Sequence, residues 1–435
     1  MREAYTFHIS HPSNLRNKLL LKSKEFTYIS VLDSNTKLSP NHLPDDYIKY
    51  DLIAGVDAID ILDSSKSSFS CLQGFHEEHK DWLFGYLSYD LKNELETLSS
   101  ENWDGIRTPH LSFFIPRYVF LLKGNELIVL SHESKKKCSS FLSSLTLIEK
   151  EIVWNVKIKP RETKGEYLNK IKEIKSHIQR GDIYEMNYCQ EYYAENIDLI
   201  PSLIFNQLTK HTATPFSAFL KLKDLHVMCA SPERFIKKAG NRIISQPIKG
   251  TRKRGGSKGL DDELVDELKR SDKDISENVM ITDLVRNDLS ITAKKGSVKV
   301  EELCGVYTFE KVHQMITTIS SEVDKNIHFS DILASTFPMG SMTGVPKIRA
   351  MELIEQFENF KRGLFSGAIG YITPKGDFDF NVVIRTILYN ASTKYLSVGV
   401  GGAITIKSDA EEEYEECMVK VKPIFEVLNF QLDEK

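Results

Sequence analysis

The sequence lacks most of the features that mark an unusual environment. Its six cysteines (Cys71, Cys138, Cys189, Cys229, Cys304 and Cys417) are scattered over 435 residues with no CxxC pair. That argues against a zinc site or a disulfide framework and fits a reducing cytosol. No apolar run is long enough to cross a bilayer, and the N-terminal MREAYTFHIS has no apolar h-region, so neither membrane spanning nor secretion is expected. Charge of one sign is missing too: the net charge is −4, which gives no electrostatic reason to bind nucleic acid. The cluster Arg252, Lys253, Arg254 and Lys258 is short and glycine-broken, and reads as a solvated loop. There are no internal repeats and no Walker loop, since Gly340 and Gly344 are separated by three residues rather than four. What is present is ordinary: 41% hydrophobic and 27% charged residues, enough for two or three domains or one large intertwined one.

Residues 1 to about 155 read as an N-terminal region that completes the fold, and residues 156–435 as the domain in which the candidate chemistry lies. In the first, polar stretches (Asp33 to Asp46, Ser64 to Ser70, Ser99 to Pro109) separate short apolar runs. Trp82–Tyr89 reads as a strand, and His110–Leu122 with Glu126–Leu130 reads as a hairpin around Lys123-Gly124-Asn125. From Glu162 the pattern sharpens. Tyr167, Leu168, Ile171, Ile174 and Ile178 have helical spacing, and Gly181 stands where a helix would end. Gly181–Gln190 reads as extended, Phe216–Met228 as one strand, Asp261–Leu289 as a long helical stretch, and Phe378–Tyr389 and Leu396–Ile406 as strands.

The chemistry concentrates around SQPIKGT, Ser245–Thr251. Pro247 biases Gln246 to extended backbone and Gly250 allows a turn right after Lys249. A lysine held there becomes a nucleophile if apolar walls or a nearby cation lower its pKa. Alone it reads equally as a surface lysine. Glu233, in the turn of SPERF, reads as a solvated carboxylate or as a general acid or base. Glu277 falls on the apolar face of its helix with Met280, Ile281 and Leu284, and needs either a cation or a partner such as Arg286. In Glu411–Val421, Glu413 and Glu416 flank an apolar stripe with Lys420 one turn on. These carboxylates either meet Glu277 around a hard dication such as Mg²⁺ or only satisfy a helix start. Phe337–Ile354 is a glycine-punctuated loop entering a helix, with Lys347 and Arg349 as an anion-cradle candidate. Arg385, beside Val383 and Ile387 on one strand face, calls for an anion from ligand or protein.

Read in order, SPERF, PIKGT, ENVMITDLVRNDLS, PMGSMTGVPKIRAMELIE, RGLFSGAIGYI, IRT and GGAITIKSDAEEEYEE resemble the chorismate-utilising enzymes. That family includes the anthranilate, aminodeoxychorismate, isochorismate and salicylate synthases. The resemblance covers about Glu162 to Leu428, with a looser match at FGYLSYDL. It implies an α+β fold of two antiparallel sheets packed as a sandwich with helices outside. It also implies chorismate as substrate, Glu277 and Glu416 as Mg²⁺ ligands, and Glu413 assisting through water. Glu233 matches the general acid, while Arg385, Lys420, Thr343, Gly401 and Gly402 match substrate-holding positions.

Lys249 matches the covalent nucleophile of members carrying PIKGT, where anthranilate synthases carry PIAGT. The implied reaction replaces the C4 hydroxyl of chorismate by ammonia, on the route to 4-aminobenzoate and folate. The resemblance also implies that ammonia comes from a separate glutamine amidotransferase subunit, as in ammonia-using members; no cysteine here lies in a GxCxG turn, so the chain itself is not expected to hydrolyse glutamine. Anthranilate formation and a non-catalytic chorismate-binding subunit are the alternatives. Departures from the pattern are Glu185, where water-using members carry lysine and ammonia-using members usually glutamine, and Ala403 and Lys407. A fourth is Gln314, at a position where anthranilate synthases carry histidine and with His313 just before it. The N-terminal tryptophan signature is not found, so feedback by tryptophan is not expected.

Overall fold

The computed structural model describes residues 2–35, 49–147 and 153–432; the polar stretch Asp33–Asp46 therefore lies mostly outside the described residues. Two long strands, Leu52–Ser64 and Leu111–Lys123, pair along their whole length and belong to both layers of the molecule. A register shift between Ala58 and Asp60 bends the first of them, as an extra residue in a ladder does. At one end, Tyr118–Lys123 pairs with Glu126–Ser131 in the hairpin expected around Gly124, and that strand pairs with Glu3–His8. At the other end, Leu111–Phe114 pairs with Leu83–Leu87.

The first layer continues from Leu52–Ser64 through Tyr28–Asp33, Phe216–Leu222, Leu225–Ser231, Thr386–Asn390 and Tyr395–Ile404 to Glu185–Ala194. The second runs from Leu83–Leu87 through Ala368–Ile372, Phe378–Asn381, Arg234–Ala239 and Arg242–Gln246 to Val312–Glu322. All of these pairings are antiparallel. Alternation along the strands builds the core. Leu220 and Val227 face the second layer, while Phe219 and Met228 face the helices Pro201–Thr212, Lys164–Arg180 and Ala410–Leu428. Truncating such a fully buried side chain, for example Leu220→Ala, costs about 2–5 kcal/mol. The architecture is the α+β sandwich that the resemblance implies.

Three expected elements divide. Phe216–Met228 is a hairpin rather than one strand, because Lys223 takes φ +55° at its tip. The helical stretch Asp261–Leu289 is two helices, Lys258–Arg270 and Asp272–Ser290; Ser271 ends one and caps the other through its side chain. Phe378–Tyr389 breaks between Asn381 and Thr386, with Arg385 at φ +52°. The helix Lys164–Arg180 forms as expected, with a capping box at Thr163 and Glu166 and Gly181 at φ +84°. In the N-terminal region the end of the expected separator Ser64–Ser70 already belongs to a helix, Ser68–His79. Of the RKRGG segment, Arg252 and Lys253 end the strand Ile248–Lys253 and Arg254–Gly256 form a largely exposed loop as expected, with two of its cations paired: Arg252 with Glu267 and Asp274, and Arg254 with Asp261.

Candidate active site

Lys249 lies inside the strand Ile248–Lys253, not in a turn beyond a strand. Across from it, Ile248 pairs with Ile316 and Thr251 with Gln314, so Lys249 and Gly250 together oppose one residue. This is a β-bulge, and a bulge re-aims the side chain it carries. Gly250 makes it possible at φ +89°, where an added Cβ would stand 2.9 Å from Leu268.

The re-aimed amine donates to Glu185 Oε1 at 2.8 Å, and the two side chains are only 10% and 1% exposed. Burial alone would lower the pKa of Lys249. The charge of Glu185, followed by Glu277 and then Glu233, outweighs burial and holds the amine above the ordinary lysine range. The resting residue is therefore an ammonium. The apolar walls or neighbouring cation anticipated from sequence give way to three carboxylates.

Glu233 follows the strand Leu225–Ser231 and is buried. Burial pushes its pKa up to about 7, against hydrogen bonds from Ser341 and the Ile248 backbone and the charges of Lys249 and Arg385. A carboxyl group titrating near neutrality suits proton donation. Arg385 stands close by on the irregular connection, not on a strand face. Burial lowers its pKa while Glu233 opposes that shift. Among the described residues its guanidinium makes no hydrogen bond or ion pair, which leaves it available to an anion.

The acidic side is built from two helices. Glu277, on Asp272–Ser290, is buried, and its pKa is raised to about 7 by burial, with Lys249 pulling the other way. It does not pair with Arg286, which instead holds Asp283 at 2.8 Å. Glu413 and Glu416 project from Ala410–Leu428 as expected. Glu413 is buried and holds Lys273 at 3.1 Å, while Glu416 sits exposed and holds Lys420 at 2.7 Å. Lys420 also donates to the Gly401 carbonyl at 2.9 Å.

These groups meet at Gly402. A Cβ there would lie 3.1 Å from Glu413 Oε2, 3.6 Å from Lys420 Nζ and 3.8 Å from Glu416 Oε1. Among the described residues the carboxylates do not form a preassembled ligand cluster. However, Oε1 of Glu277 and Oε2 of Glu413 are buried without a hydrogen-bond partner. Buried carboxylate oxygens left in this state fit a hard cation.

Other expectations fare unevenly. Thr343 is buried beside the site, but its hydroxyl bonds the Met339 and Gly340 carbonyls at 3.3 Å. Gly401 is required by packing, since a Cβ would stand 2.2 Å from the Tyr188 carbonyl. The cations of the proposed anion cradle are occupied: Lys347 pairs with Asp288 at 2.6 Å and Arg349 with Glu352 at 2.5 Å. His313 is buried against Thr308 and Asp261, and Gln314 faces the opposite side of the same strand.

The sequence profile of the chorismate binding enzymes matches residues 44–426. The chain belongs to that family. Aminodeoxychorismate synthase component 1 of Salmonella typhimurium is 38% identical over 61% of this chain and 58% of that protein, so the match spans little more than half of the relative. The component 1 of Escherichia coli is 33% identical over 79% of this chain and 76% of that one. Among solved structures, anthranilate synthase component I of Streptococcus pneumoniae superposes with a TM-score of 0.76 at 23% identity, covering 86% of this chain and 91% of that one.

Sequence reasoning missed three contributors to the candidate site: Ser341 on Glu233, Lys273 on Glu413, and Glu185 as the partner of Lys249. Glu185 was visible only as a departure from the pattern. Nothing in its neighbourhood indicates that residue 249 will face it.

Proposed function

We propose that this chain is the chorismate-acting component of an aminodeoxychorismate synthase, replacing the C4 hydroxyl of chorismate by ammonia to give 4-amino-4-deoxychorismate. The observation that carries this reading is the placement of Lys249, bulged into a buried site between Glu185, Glu277 and Glu233. Relatives 38% and 33% identical in sequence have this activity in their names.

In this reading Glu277 and Glu416, with Glu413, hold Mg²⁺, which when bound offsets the charge of a substrate carboxylate. Arg385 receives the other carboxylate of the dianion, with Lys420 and the backbone near Gly401 beside it. Neutral Lys249 attacks C2, the ring double bonds shift, and the C4–O bond breaks. Glu233 protonates the departing hydroxyl, which leaves as water. Ammonia then adds at C4 and expels the lysine, and Glu233 recovers a proton from the new amine. A separate glutamine amidotransferase supplies the ammonia.

The test is product mass after incubating the purified chain with chorismate, Mg²⁺ and an ammonium salt. A product in which hydroxyl is exchanged for amine, with the enolpyruvyl group retained, supports the assignment. Release of pyruvate with fluorescent anthranilate would replace it by the anthranilate reading. Glutamine alone should give no turnover.

A further inference from the structure

We propose that Glu185 is the base that takes a proton from Lys249 as its amine attacks the substrate ring and returns it when the amine is expelled. This role rests on the covalent reading above and deepens it. An ammonium cannot attack, so a chain that keeps Lys249 protonated at rest must also provide for removing that proton. Glu185 meets the requirement on geometry. Its Oε1 is 2.8 Å from Nζ, within direct transfer distance, and it is the single hydrogen-bond partner of that amine among the described residues.

The other charged groups facing the pair are placed differently. Glu277 and Glu233 reach Lys249 electrostatically without a hydrogen bond. Glu416 is held by Lys420, and Lys273 by Glu413. The backbone that carries this carboxylate is also fixed in place. Residue 185 pairs with Val345, and Gly344 packs so tightly that a Cβ would stand 2.2 Å from the Glu185 carbonyl oxygen. Its second oxygen is buried and has no hydrogen-bond partner among the described residues. In a dry site a neutral acid–amine pair competes with the ion pair far better than it does in water.

The protons balance over the cycle. Lys249 passes one proton to Glu185, its lone pair forms the N–C2 bond, and the C4–O electrons leave with the proton of Glu233 as water. When ammonia forms the C4–N bond, the C2–N bond breaks and neutral Lys249 is released. Glu185 then returns its proton.

The test follows adduct formation by intact mass, with chorismate and Mg²⁺ but no ammonia, across neutral to alkaline pH. Glu185→Gln, which keeps shape and loses the base, should slow the adduct about 100-fold or more at neutral pH. Its deficit should shrink as pH rises and solvent hydroxide takes over. Glu185→Ala should be partly rescued by added formate, which a merely structural carboxylate would not allow. An adduct forming in Glu185→Gln at the wild-type rate and with the wild-type pH profile overturns the role of Glu185 alone. If wild type forms no adduct while Lys249→Ala still aminates chorismate, the covalent reading fails and takes this role with it.

Discussion

Two buried charge clusters lie a few residues apart in this fold and differ in how completely the protein satisfies them. In the first, Arg362 donates to both oxygens of Glu358 and to the carbonyls of Met342 and Asn187. Glu358 also accepts the backbone N–H of Cys189. In the second, around Lys249, the buried carboxylates of Glu185, Glu277 and Glu413 each keep one oxygen without a partner among the described residues. Burial raises the pKa of Glu358 and of Glu277 alike, so burial does not tell the clusters apart. Partners do. A closed cluster is scaffold, while leftover lone pairs and a free guanidinium at Arg385 mark a site that binds something.

That contrast can be broken by experiment. The largest expected effect is on catalysis: Glu277→Gln should lower Mg²⁺-dependent amination about 1000-fold, equivalent to several kcal/mol. Its melting temperature should hold or rise, because a poorly satisfied buried charge is removed. Full activity in this variant, or in excess chelator, would end the metal assignment. Glu358→Gln should do the opposite, losing about 3–5 kcal/mol of stability by stranding Arg362, while the folded fraction keeps its KM for chorismate. Denaturant titration beside steady-state kinetics separates the two outcomes.

Arg385→Gln should raise the KM for chorismate about 10- to 100-fold, the loss of one charge-assisted hydrogen bond, with melting temperature nearly unchanged. A marked stability loss would place Arg385 with the scaffold instead. The smallest effect concerns pH. Glu277 titrates near 7 in the metal-free protein, and only its carboxylate form binds a cation. Mg²⁺ affinity should therefore be flat above about pH 7 and fall up to tenfold per pH unit below it. Calorimetry on either side of neutrality checks the sign, and tighter binding in acid would refute it.

How much of this was legible before the structure depends on whether the deciding contact is local. The helix Lys164–Arg180 announces itself through spacing, a capping pair and a terminal glycine, all within one segment. The hairpin around Gly124 does the same. The break at Arg385 left no comparable signal, because apolar residues run from Val382 to Ile387 around it, whereas the polar runs Lys223-Asp224 and Lys269–Asp274 do mark the other two breaks in sequence. In the site, the residue types of Lys249, Glu233, Glu277, Glu413 and Glu416 suggested nucleophile, acid and hard-cation ligands. Their mutual charge state was not readable. Whether Lys249 meets a cation or Glu185 depends on a bulge opposite Met315 and on a strand that starts 64 positions away in sequence. The same holds for Lys347, whose partner Asp288 comes from a helix in another part of the chain.

The strand Tyr28–Asp33 is flanked on one side by Leu52–Ser64 and on the other by Phe216–Leu222. On the ribosome the first neighbour arrives almost at once, but the second only after residue 222 has been made. At ordinary elongation rates one edge of that strand thus stays open for on the order of 10 s or more. Leu83–Leu87 waits longer still, for Ala368–Ile372. An apolar nascent chain with two open edges is a client for whatever shields emerging polypeptides, and a template for its own neighbours on a polysome. The yield of native protein should therefore fall with translation density and recover when initiation is slowed, even though the finished molecule has both edges paired.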